Sequence, residues 1–142
     1  MSREDPETGF TPPEGFLALV AEGGLTGNRA VRRVLASLGV RRVFEAQDGA
    51  EALGAFAERK PGLLVLDWRQ DLVSATEIIA CARDPGRSHA ADLPVVVTMA
   101  DPTRTDVEAA LSLKVDAIVA KPYSASALRA RLLAALHRPA PS

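Results

Sequence analysis

Leu63-Leu64-Val65-Leu66-Asp67-Trp68 opens with four apolar residues in succession and then reaches a carboxylate. A strand that is apolar at every position, rather than at every second one, is buried on both faces, and so belongs to a sheet covered by helices on each side. Runs of the same kind stand at Phe16-Leu17-Ala18-Leu19-Val20, Val43-Phe44, Val95-Val96-Val97 and Ala117-Ile118-Val119. After each run, apolar residues repeat at the spacing of one helix face. These are Val31, Val34, Leu35 and Leu38; then Ala52, Leu53 and Phe56; Ile78, Ile79 and Ala82; Val107, Ala110 and Leu111; and finally Leu128, Leu132 and Leu136. The alternation predicts an α/β fold: a flavodoxin-like (βα)5 arrangement, doubly wound, with a five-stranded parallel sheet in three layers.

Punctuation residues divide the chain in the same way. Gly39, Gly49, Gly62 and Gly86 fall between elements, and Ser74 with Glu77 has the spacing of a capping box at a helix start. Asp101-Pro102 predicts another helix start, with the aspartate as cap and the proline in the first turn. The expected domain covers residues 15–137, between a flexible polar tail at 1–14 and a short one at 138–142.

The 142 residues, 47% of them hydrophobic, suit one domain with one well-filled core. Seventeen basic and 18 acidic residues nearly cancel, so the one-sign field of a nucleic-acid or membrane-surface protein is not expected. Arg29, Arg32, Arg33, Arg41 and Arg42, and further on Arg129 and Arg131, alternate with apolar helix positions and read as a solvated outer face. The lone Cys81 excludes an internal disulfide and lies on an apolar helix pattern, as a small core residue does. Met1 to Gly15 is polar and carries Pro6, Pro12 and Pro13, unlike a signal peptide or membrane span, so a cytoplasmic location is expected.

Ligands of an open parallel sheet bind outside the carboxyl ends of its strands. The residues closing the apolar runs are Ala21-Glu22, Asp67, Met99-Ala100 and Lys121. Two carboxylates can hold a hard divalent cation, and a lysine brings a positive charge to an incoming phosphoryl group, with Asp67 as the nucleophile.

Three segments together resemble the response-regulator receiver family: Glu45 to Leu53 (Glu-Ala-Gln-Asp-Gly-Ala-Glu-Ala-Leu), Leu64-Val65-Leu66-Asp67-Trp68, and Lys121-Pro122-Tyr123 followed by Leu128. The resemblance spans about residues 15 to 136, nearly all of the patterned chain. It implies a stand-alone signalling domain rather than an enzyme, accepting a phosphoryl group on Asp67 from a histidine kinase or phosphotransfer protein. Lys121 would contact the phosphoryl oxygens, and Mg2+ would be held by Glu22, Asp67 and the backbone carbonyl of Arg69. The resemblance also implies a cis peptide before Pro122. Signalling would pass to a downstream protein through the face of the fourth helix, fifth strand and fifth helix: Thr103 to Lys114, Asp116 to Val119 and Ser124 to Leu136. The same face is compatible with a homodimer.

Several positions depart from the family pattern. Receivers end the first strand with two adjacent acids, and this chain has Ala21 and Glu22. The extra methylene of Glu22 displaces its oxygens by about 1 Å, and misalignment of that size costs a rate roughly 100-fold where geometry matters. The switch position that carries Ser or Thr at the end of the fourth strand falls, counting from Pro94, on Met99, whose thioether donates no hydrogen bond. Thr98 would take its place only by a slip that turns the other strand face inward. The aromatic switch position of the fifth strand is Ile118, and the loop after Asp67 carries Gln70-Asp71 and Ser74-Ala75 instead of the family's Met-Pro and Asp-Gly pairs.

These losses open a second reading, a pseudo-receiver adaptor that works without phosphorylation. A third, a dinucleotide-binding enzyme, draws on Gly23-Gly24-Leu25-Thr26-Gly27 after the first strand, with Glu45 near the end of the second. Glu22 in the slot of the first glycine would repel a pyrophosphate. A haloacid-dehalogenase-like phosphatase would need an aspartate where Arg69 stands.

Overall fold

The computed structural model describes residues 8–137, so the expected tail residues 1–7 and 138–142 lie outside the described part. The elements are β1 (Leu17–Ala21), α1 (Leu25–Ser37), β2 (Arg42–Glu45), α2 (Gly49–Arg59), β3 (Leu63–Asp67), α3 (Ala75–Arg83), β4 (Val95–Ala100), α4 (Arg104–Ser112), β5 (Ala117–Lys121) and α5 (Ala125–Leu136). All strand pairs are parallel, in the order β2-β1-β3-β4-β5. The reversal of winding at β1 and β3 puts the first helix on one face and the next three on the other, the three-layer arrangement that the periodicity predicts.

Burial follows strand position. β1, β3 and β4 are buried almost throughout, whereas the edge strands β2 and β5 are partly exposed. Successive side chains of a strand point to opposite faces, and this divides the core in two. On one face Leu19, Leu64, Leu66, Val95, Val97 and Met99 pack with Phe56, Ile78 and Ile79 of α2 and α3. On the other, Ala18, Val20, Leu63, Val65, Val96 and Val119 pack with Val31, Leu35, Leu128 and Leu132 of α1 and α5.

The caps account for most helix starts. Asp48, Ser74, Thr103 and Ser124 each accept a hydrogen bond from the backbone N–H three residues on, satisfying a donor that the helix leaves free. For α4 this corrects the expected start. The cap is Thr103, in a reciprocal box with Asp106, while Asp101 lies before it with φ 45° in the left-handed region. The tail expectation also changes for residues 8–14, because Phe10 packs edge-on against Phe16 and against the α1/α5 core.

Gly54 lies inside α2, and a Cβ there would meet nothing within 4 Å. Gly54→Ala should therefore stabilise the fold by about 0.5–1 kcal/mol, the usual gain from replacing an unhindered helical glycine. An upward shift of the urea midpoint with unchanged slope is expected, and a downward shift would contradict the open space seen there.

Candidate functional site at the carboxyl edge

Strand parity decides which residues meet at the rim. Glu22 continues the face of Ala18 and Val20, Asp67 that of Leu63 and Val65, and Lys121 that of Ala117 and Val119, so all three turn toward the α1/α5 side. They converge. Lys121 Nζ lies 2.5 Å from Asp67 Oδ2 and 2.5 Å from Glu22 Oε1. An open cleft of about 710 Å³ lies over them, lined also by Gly23, Gly27, Ala100, Asp101 and the Pro122-Tyr123 turn. The Lys121–Pro122 bond is cis.

Glu22 is 2% exposed and reaches across β3 toward β4. Its Oε2 accepts a hydrogen bond from Thr98 Oγ1 at 2.5 Å, and Thr98 is itself wholly buried. Its Oε1 forms the contact with Lys121 at an angle that is not that of a hydrogen bond, and takes no other donor. Burial raises the Glu22 pKa above the ordinary carboxylate value, and the contacts with Lys121 and Thr98 only partly offset it. For Lys121, burial alone would lower the pKa, but the contacts with Asp67 and then Glu22 outweigh it and hold the ammonium charged. Burial, with the Glu22 charge nearby, pushes the Tyr123 hydroxyl up to about 12, so it stays neutral beside the cleft.

The backbone around the trio is fixed from several sides. Buried Asn28 accepts from Glu22 N at 2.6 Å and donates to the Ala46 carbonyl at 2.8 Å, joining the ends of β1 and β2. Gln70 Nε2 donates to the carbonyls of Ala21 and Asp67 at 2.8 and 2.9 Å, so this departure from the family pattern braces the two strand ends. Arg69 N donates to Asp67 Oδ1 at 3.0 Å. Trp68 packs on the α2/α3 core and donates from Nε1 to Asp106 Oδ1 at 3.2 Å, linking the residue after Asp67 to the capping box of α4.

The expected switch residues lie elsewhere. Met99 is 1% exposed and Ile118 partly buried, both packed in the core on the opposite face of the sheet from the acids. Thr98 is the β4 residue that touches the site, because the register places it beside Asp67. Ala21, where the family has a second acid, is buried in that opposite core. Among the described residues no three or more His, Cys, Asp or Glu side chains gather as a metal cluster. Among the described residues the acids that line the rim cleft are Glu22, Asp67 and Asp101. Glu22 Oε1 and Asp67 Oδ2 both lie against the Lys121 ammonium, and carboxylate oxygens are the donors that a hard divalent cation takes. Glu22 is buried under the first loop and Gly27 lies within α1, an arrangement that does not cradle a pyrophosphate.

A doubly wound parallel sheet with an aspartate, a second acid and a lysine at its carboxyl rim defines the class. The response regulator receiver domain matches residues 19–133. Chemotaxis protein CheY1 of Helicobacter pylori is 26% identical over 117 residues, which are 80% of this chain and 91% of that protein. Response regulator MprA of Mycobacterium sp. (strain KMS) is 32% identical over 123 residues, which cover 87% of this chain but 51% of MprA, so the chain spans about half that relative. Among solved structures, a signal receiver domain of two-component signal transduction (histidine kinase) from Clostridium thermocellum superposes with TM-score 0.75 at 18% identity, covering 89% of this chain and all of the other. The chemotaxis response regulator CheY4 of Vibrio cholerae gives 0.73 at 16% identity, over 84% of this chain and 98% of that one. At those identities the structures bear on fold alone.

This chain belongs to the response regulator receiver domain family, the signalling domains of two-component systems. No helix among the described residues is long and apolar enough to cross a membrane.

Proposed function

We propose that Asp67 accepts a phosphoryl group from a phosphohistidine of a kinase or phosphotransfer protein, and that the modified domain signals by contact with a downstream protein in the cytoplasm. An Asp67 carboxylate oxygen would attack phosphorus, forming the O–P bond as the N–P bond to the donor imidazole breaks, and the electron pair would leave with the imidazole. Lys121 would neutralise the phosphoryl oxygens as they approach. The observation that carries this reading is Asp67 at the end of β3, in an open cleft, with the ammonium of Lys121 already on its Oδ2.

Receiver domains generally take Mg2+ at this edge. Here Glu22, Asp67 and the Arg69 carbonyl would hold it, with Lys121 drawn back from between the acids, and the ion would supply positive charge toward the incoming phosphoryl group. The face of α4, β5 and α5 would meet the target, or a second copy of the chain. The domain is a phosphoryl acceptor rather than an enzyme with a turnover of its own.

The test is the intact mass after incubation with acetyl phosphate and Mg2+. One added phosphoryl group is expected on the natural chain and none on Asp67→Asn. No addition under any metal condition would leave the phosphorylation-independent adaptor as the reading.

A further inference from the structure

Of the described side chains that line the rim cleft, those of Lys121 and Tyr123 can donate a hydrogen bond. The rest belong to glycine, alanine, proline and three acids, whose ionised carboxylates only accept. The Lys121 ammonium already lies against Glu22 and Asp67, whereas the Tyr123 hydroxyl makes no hydrogen bond among the described residues. The hydroxyl of Thr98 is wholly buried and committed to Glu22 Oε2, and Met99 has none and turns to the other core. Tyr123 is therefore the one uncommitted side-chain donor along the described wall of the cleft.

Its place follows from the turn that carries it. Tyr123 stands between the end of β5 and Ser124, the cap of α5, and its half-buried ring packs on the α1/α5 core. The apolar body anchors the side chain, and the charges of Glu22, Lys121 and Asp67 all act on its hydroxyl, which puts that end by the rim. Burial and the Glu22 charge keep the hydroxyl protonated up to about 12, so its proton is there to donate at neutral pH. A phosphoryl group on Asp67 would present three strong acceptor oxygens, more than one ammonium can serve.

We propose that Tyr123 is a phosphoryl-binding residue of this rim, its hydroxyl donating a hydrogen bond to an oxygen of the group carried by Asp67. It takes the part of the hydroxyl that the family pattern has at the end of β4, which Met99 lacks and Thr98 has spent on Glu22. The donor thus moves from β4 to the turn between β5 and α5, and the proton stays on the tyrosine throughout. The inference rests on the reading of Asp67 as the acceptor.

The test uses the natural chain with Mg2+ and beryllofluoride, a mimic of a phosphoryl group on a carboxylate. Tyr123 is the only tyrosine, so isotopic labelling at tyrosine Cζ gives a single NMR resonance that reports hydrogen bonding by the attached hydroxyl. That resonance should shift as beryllofluoride is added to the natural chain, and should not in Asp67→Asn. Tyr123→Phe removes the oxygen alone and should melt as the natural chain does. By fluorine NMR of the bound mimic it should bind beryllofluoride about tenfold more weakly, the loss of one hydrogen bond worth about 1.4 kcal/mol.

A Cζ resonance unmoved at saturating beryllofluoride would overturn the inference, as would a Tyr123→Phe protein that binds the mimic as tightly as the natural chain. A merely structural tyrosine would instead lower the melting temperature on substitution and leave the Cζ resonance in place. The mass measurement on Asp67 keeps the two readings apart. A chain that gains the phosphoryl group and binds the mimic with its tyrosine unmoved fails here alone, and one that neither gains mass nor binds the mimic fails both.

Discussion

Arg83→Ala should lower the unfolding free energy by about 3–5 kcal/mol, the range expected when one partner of a buried ion pair is removed. Arg83 ends α3, with a side chain only 14% exposed, and its guanidinium serves two connecting segments. Nη1 donates to the carbonyls of Leu93 and Ala91 at 2.6 and 3.1 Å, Nη2 to that of Lys114 at 2.8 Å, and Nε to that of Leu113 at 3.2 Å. Nη2 also lies 3.4 Å from Asp116 Oδ2, an oxygen that accepts from Val95 N at 2.7 Å. One planar fork thus fastens the entry to β4 and the turn between α4 and β5. Alanine would leave a carboxylate 7% exposed without this cation and several carbonyls short of a donor. The expected fall in melting temperature is about 10 °C or more, taking about 3 °C per kcal/mol for a domain of this size. Arg83→Lys should recover only part of it, since an ammonium cannot reach so many acceptors at once. A loss below about 1 kcal/mol for alanine would show that water replaces the guanidinium at little cost.

None of this was legible in the sequence. Arg83 stands in the last turn of a helix, where a cation is ordinary, and its partners are backbone carbonyls, which carry no residue signature. The fold was legible for the opposite reason. Runs such as Leu63 to Leu66 and the helix-face spacing of Leu128 and Leu132 are burial itself written in order along the chain. Glu22, Asp67 and Lys121 could be named because the carboxyl ends of parallel strands are where such a sheet binds, and each residue closes an apolar run. Counting from Pro94 by family spacing puts the hydroxyl position at Met99, whereas the β4 side chain that touches Glu22 is Thr98. Parity gives the other answer: Asp67 pairs with Thr98, so those two share a face, and Met99 must turn to the core. The bond from Trp68 to Asp106 spans 38 residues, a pairing that no local pattern encodes. The start of α4 was misplaced because Asp101-Pro102 has the composition of a cap, but Thr103 holds the geometry.

Gly27→Ala should destabilise the domain although the residue lies within a helix. Taken alone, alanine in place of a helical glycine is worth about 1 kcal/mol in favour of the fold, as expected at Gly54. At Gly27, in the first turn of α1, a Cβ would lie 1.8 Å from the Glu22 carbonyl oxygen, 3.0 Å from its carbon and 3.4 Å from Glu22 Cγ. The oxygen is backbone and cannot swing aside as a side chain would. Relief would require the turn to open by about 1 Å or more, which a packed interior accepts only at a cost of about 1–3 kcal/mol. Glu22 N is also tied to Asn28 Oδ1 at 2.6 Å, so opening that turn strains the link to Ala46 as well. The overpacking term therefore outweighs the propensity gain, and urea unfolding should show a net loss of up to about 2 kcal/mol. The same displacement would carry Glu22 away from Thr98 and Lys121, so the Lys121 side-chain resonances should move in Gly27→Ala even without Mg2+. In Gly54→Ala they should not. A Gly27→Ala protein more stable than the natural chain, with Lys121 unshifted, would mean that the first turn of α1 does not press on Glu22, and that this residue is held at the rim by its side-chain partners alone.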